Sequence, residues 1–192
     1  MIGFDETVFP ELNFRSPTEF QDTLNRLQAF FAGHEVQLAE VFARARELEK
    51  AFDVIDPFIQ EYTAMTCPYC AVVCCANRHG MPTFGDIVSF LAMRRRLPVY
   101  DLSISAGAAC QFMGAMGCVL PRLVRPYRCT WYFCDPLLKQ IEIGPASHYR
   151  TFIQYVENLS AARGRVLEAF HRIWSIDRDA LCSQDDARRD HS

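Results

Sequence analysis

The chain has 192 residues, half of them hydrophobic and 12% aromatic, with a formal net charge of −3. Such a composition can bury a core, suits one domain or a core with one helical extension, and excludes a compositionally disordered chain. The acidic balance without a basic recognition motif speaks against nucleic-acid binding, and no apolar run approaches the ~18 residues that span a bilayer.

The first residues, MIGFDETVFPEL, are acidic and lack the basic and apolar regions of a secretory signal, so a cytoplasmic location is expected. At SPTE, Ser16 stands where an N-cap would, Pro17 at the first helical position and Glu19 two further on, the residue types of a capping box. From there Leu24, Leu27, Phe31, Leu38, Val41, Ala45, Leu48, Phe52 and Ile55 fall at steps of three and four, broken in apolarity at His34 beside Gly33. The pattern predicts one long helix or two, ending near Asp56-Pro57. Residues 1–60 therefore read as an N-terminal helical segment.

Residues 61–140 read differently. DIVSFLAMRRR (86–96) predicts a short amphipathic helix and AACQFMGAM a turn-rich element, and the remainder is loop-like with frequent Gly and Pro. A segment this irregular is hard to hold by apolar burial, and metal ligation is the expected substitute. In residues 141–180, Phe152, Val156, Leu159, Val166, Phe170 and Ile173 form one helical stripe, weakened at Arg163-Gly164; residues 181–192 read as a polar tail. Neither stripe can be buried alone. The expected fold is mainly α: two long amphipathic helices, packed on each other, flanking a loop-rich, cysteine-ligated module within one compact domain. A homodimer through the N-terminal helix is the competing way to bury its stripe.

Eight of the nine cysteines lie between Cys67 and Cys134, and Cys182 stands apart. In a reducing compartment, clustered cysteines point to metal or catalysis rather than disulfides. The spacing is Cys67-x2-Cys70-x3-Cys74-Cys75, then Cys110, Cys118 and Cys129-x4-Cys134. CPYC alone would be a glutaredoxin dithiol, but a helical segment precedes it and two more cysteines follow. The bacterial ferredoxin run is absent, and a radical-enzyme triad would need a cysteine where Asn77 stands. Segment 67–134 also holds seven Arg, no Lys, and the two acids Asp86 and Asp101, a balance of +5 that leaves −8 in the flanks. Nearby guanidinium groups favour thiolate, although Arg94–Arg96 could equally be a solvated helix end. His79, close behind the cysteine pair, is a further ligand candidate or a loop histidine. No P-loop, dinucleotide fingerprint or Ser-His-Asp order is visible.

The stretches CPYCAVVCC, CQF (110–112), GC (117–118) and RPYRCTWYFC (125–134) together resemble the zinc- or iron-chelating domain family of the CxxCxxCC (YkgJ) type. This chain has three residues before the cysteine pair where the family more often has two, which leaves open whether Cys74 or Cys75 binds. The resemblance implies metal ligation by Cys67, Cys70, Cys74, Cys75, Cys110, Cys118, Cys129 and Cys134. Members are described as chelating zinc or iron, often as iron–sulfur proteins. It therefore implies an iron–sulfur cluster, foremost [4Fe–4S], in electron transfer or as a redox accessory to an unknown partner. Zn2+ is the alternative, with the helices acting as a protein-interaction module; metal storage or delivery through the spare thiolates is a third reading. Four thiolates suit either metal.

Overall fold

The computed structural model describes residues 4–69, 74–115 and 117–189, with side chains through residue 176. It is mainly helical: α1 (Pro17–Gly33), α2 (Ala39–Thr66), α3 (Asn77–Gly80), α4 (Phe84–Ala92), α5 (Arg128–Trp131), α6 (Asp135–Ile143) and α7 (Ala146–Arg189), with one two-residue hairpin, β1 (Met113–Gly114) and β2 (Gly117–Cys118).

The N-terminal stripe divides at His34, as its break in apolarity suggests, and every stripe residue named above is buried. Ser16 caps α1 by accepting from the Glu19 N–H, but Glu19 does not return the bond; its carboxylate takes the Asn13 amide at 2.9 Å. One expectation fails. α2 does not stop at Asp56-Pro57 but runs through Pro57 to Thr66. Pro57 lacks the N–H that would bond the Asp53 carbonyl, and both residues face solvent, so water can satisfy that carbonyl. Ile55, Ile59 and Tyr62 on the opposite face stay buried and hold the helix together.

α2 and α7 make the largest contact between elements, and they are antiparallel. Arg172 pairs with Glu40 and Arg165 with Glu47, while Phe58 stacks on Phe152 at 4.9 Å. α7 continues as helix to Arg189, through most of the stretch that reads as a polar tail.

The middle segment is less separate than expected. α4 touches α1, α2 and α7 and is buried on all sides, not amphipathic. Its apolar run, FGDIVSFLA, supplies Phe84, Ile87, Val88 and Phe90 to the same core as the long helices. The three arginines lie beyond its end. Arg94 adopts a left-handed φ of 54°, and Arg94 and Arg95 pair with Glu35 and Glu49, away from the cysteines.

Candidate metal centre

Several chain segments deliver the thiols. The end of α2 places Cys67, whose N–H bonds the Thr63 carbonyl. Cys74 and Cys75 lie in extended chain that pairs with residues 106–110. The Cys110 N–H donates to the Cys75 carbonyl at 2.8 Å, the Asn77 N–H to the Ala108 carbonyl at 2.8 Å, and Ala76 bridges Ala109 antiparallel. The buried Asn77 side chain secures this loop. It donates to the Ile104 carbonyl at 3.0 Å and accepts from the Gln111 amide at 3.0 Å. The hairpin follows, with Met113 paired to Cys118 and Gly117 at φ +114°, a value that favours glycine. Cys129 lies in α5, and Cys134 precedes α6, where its carbonyl accepts the Leu138 N–H at 3.0 Å.

Arginines hold these pieces together. Arg125 donates to the carbonyls of Leu120 at 2.7 Å and Cys118 at 3.3 Å. Arg122, 5% exposed, bridges Asp56 of α2 at 2.7 Å and the Cys129 carbonyl at 3.3 Å. At Gly80 the backbone approaches so closely that an added Cβ would meet Cys110 Sγ at 2.5 Å.

The result is one cavity of about 190 Å³ lined by Cys67, Cys74, Cys75, Cys110, Cys118, Cys129 and Cys134, with Arg122, Arg125, Arg128, His79, Tyr132 and Phe133. Cys70 lies outside the described residues, as does the side chain of Cys182. All seven described thiols are partly buried and none is in a disulfide. They sense one another. Burial, then contact with Cys134 and the proximity of Cys75, pushes Cys74 up to about 12. Cys75 rises to about 11, through burial and the neighbouring Cys129, Cys67 and Cys110, against a hydrogen bond with Cys74 that lowers it. Burial with Cys118 and Cys110 raises Cys129 to about 12, and burial raises Cys110. So many thiolates cannot share a half-buried space without a cation, and binding one would release protons.

Among the described residues no three His, Cys, Asp or Glu side chains converge closely enough to hold a single metal ion. The thiols surround a volume instead, an order of magnitude above the roughly 10–15 Å³ that one water needs. Two buried polar atoms at its walls, Arg122 Nη2 and His79 Nδ1, find no hydrogen-bond partner among the described residues. Buried donors without acceptors beside a ring of thiols fit an anionic sulfur-rich group better than an apolar filling.

Of the residues read from sequence as ligands, seven of the cysteines of 67–134 line one cavity, and Cys70 is not described. The arginines divide. Arg122, Arg125 and Arg128 line the cavity; Arg94–Arg96 do not. Arg163, read as a weak point of its helix, is instead buried, pairing with Glu6 and with Asp86 at 3.1 Å. Asp86 closes a capping box with Thr83 and accepts the Tyr127 N–H at 3.0 Å, tying the RPYRC turn to the core. No local pattern marks contacts between residues this far apart in sequence. Comparison with family models, curated proteins and solved structures returns no match to this chain.

Proposed function

We propose that this chain is an iron–sulfur protein, acting in electron transfer or as a redox accessory, with four thiolates drawn from Cys67, Cys70, Cys74, Cys75, Cys110, Cys118, Cys129 and Cys134 holding a [4Fe–4S] cluster. What supports the reading is the gathering of the thiols: seven of these sulfurs line one cavity, more than the four that a [4Fe–4S] cluster or a structural zinc takes. The resemblance of the cysteine series is what favours the cluster. When bound, the group supplies one-electron chemistry at a potential set by hydrogen bonds to sulfur and by solvent access. Arg122, with its unpaired buried Nη2, offers a hydrogen bond and positive charge to anionic sulfur. Phe133, packed against the core at the wall, limits water. The cysteine series makes the chain, on this reading, a relative of the CxxCxxCC type.

The test is purification without oxygen, followed by a visible spectrum and assays of iron, zinc and acid-labile sulfide. Iron and sulfide in matching amounts, with a broad visible absorption that dithionite bleaches, would support the cluster. Cys67→Ser and Cys70→Ser should then lose that absorption, and Cys182→Ser should keep it. A colourless protein carrying stoichiometric zinc would overturn the redox reading in favour of a zinc-stabilised interaction module.

A further inference from the structure

A second cavity, of about 440 Å³, adjoins the first and shares His79 and Arg128 with it. Its size falls within the 300–1,000 Å³ typical of small-molecule sites. Its charged lining consists of Glu6, Arg78, His79, Asp86, Arg128 and Arg163. Both carboxylates are already committed. Arg163 spans them, Thr83 donates through its hydroxyl to Glu6 at 3.2 Å and through its N–H to Asp86 at 2.9 Å, and the Tyr127 N–H completes Asp86. The cations are not matched in the same way. Arg128 and Arg78 are exposed; among the described residues Arg128 has no side-chain hydrogen bond or ion pair, and Arg78 bonds the His79 ring at 3.2 Å. His79 Nδ1 is buried and finds no hydrogen-bond partner among the described residues. Arg163, 5% exposed, has an Nε without a hydrogen-bond partner among the described residues, while its guanidinium lies over the Tyr127 ring at 4.6 Å. Around these donors stand apolar walls that include Phe14, Tyr127 and Trp131.

We propose that this cavity binds a small organic carboxylate with an apolar, planar body. The carboxylate is received by Arg128 and Arg78, and the body lies against Trp131 and Tyr127. Cavity size, spare cations and aromatic walls carry the proposal, and it does not depend on which metal the thiols hold. Occupancy would put the ligand one side chain away from the cysteine cavity, across His79 and Arg128.

The full-length protein, in whatever metal state it is purified, would be titrated with benzoate, with the neutral isostere benzamide and with inorganic phosphate. Heat and tryptophan emission are recorded, with Trp131→Phe separating the Trp131 signal from that of Trp174. Benzoate should saturate, with benzamide and phosphate each at least about ten-fold weaker, the loss expected for a missing charged hydrogen bond or a missing apolar body. Arg128→Gln should weaken benzoate by a similar factor while circular dichroism is unchanged, and Arg96→Gln should leave it unaltered. No saturable benzoate binding, equal binding of benzamide, or indifference to Arg128→Gln would each overturn the proposal.

Discussion

The helical frame and the cysteine cavity use burial in opposite ways. In the frame Leu27, Leu48, Ile55, Ile87, Leu167 and Phe170 are fully buried, and Phe170 stacks on Phe31 at 5.5 Å while meeting Phe9, Phe30 and Trp174. Between residues 94 and 136 the buried residues among those described are Arg122, Val124, Pro126 and Thr130. Two of those four are polar, and each leaves a buried atom without a partner. The frame is held mostly by apolar packing, although Thr66 Oγ1 and Arg163 Nε in its helices also lack partners among the described residues. The other region brings thiols and guanidinium groups together with little apolar burial, and on the proposed function it is the part that a bound metal would complete.

If the contrast is sound, damage to the frame should cost stability without changing the site's chemistry. Phe170→Ala removes a ring at the centre of the aromatic cluster and should cost about 3–5 kcal/mol in denaturant unfolding. On the proposed metal-binding reading, metal bound per folded chain should be unchanged. Loss of metal from the folded fraction would show that the two regions are not separable.

Arg163 is where they meet, so its removal should be felt in both. Arg163→Met keeps volume but leaves the buried Asp86 carboxylate without its cation; we expect about 3 kcal/mol of destabilisation, the low end for breaking a buried pair, because Glu6 can turn to water. Asp86 also receives the Tyr127 N–H. The turn carrying Arg128 and Cys129 should therefore loosen and exchange its amide hydrogens faster than α2 does.

Gly80→Ala tests the cavity from inside. The new methyl would meet Cys110 Sγ at 2.5 Å, and overpacking of that kind costs about 1–3 kcal/mol. Its mark should fall on the site, with metal content lowered and the helical circular dichroism of the frame retained.

How much of this could be read in advance follows the same division. The long stripes declare themselves at spacings of three and four, and their buried residues match because periodicity is a local property that packing only confirms. Pro57 misled because a proline's cost depends on whether the carbonyl it orphans faces water, and Asp53 does. α4 was legible as a helix, but its burial was not, because Asp86 and Ser89 read as a polar face and are buried in the fold. The gathering of the thiols was legible in their number and spacing. Their supports were not: Asn77 to Gln111, Arg122 to Asp56 and Arg163 to Glu6 join residues 34, 66 and 157 positions apart, and single-chain patterns carry no trace of such pairs.

The smallest effect is expected at Arg94, the residue whose charge the sequence could most easily have assigned to the thiols. It sits at φ 54°, a conformation that costs a non-glycine residue about 1–2 kcal/mol. In return it pairs with Glu35 and lies over the Phe42 ring at 4.4 Å. An exposed ion pair is worth about 0–1 kcal/mol and an exposed cation–π contact about 0.5–1 kcal/mol. Arg94→Gly relieves the first and forfeits the second, and glycine's added freedom in the unfolded chain takes back part of the relief. Thermal unfolding should therefore shift by less than about 1 kcal/mol in either direction, and metal content should not change. Arg122→Gln, made alongside it, removes the same charge from a buried position bridging Asp56 and the Cys129 carbonyl, and should reduce bound metal. Equal effects of the two variants on metal would mean that the cavity responds to the summed charge of the segment, not to the guanidinium groups that touch it.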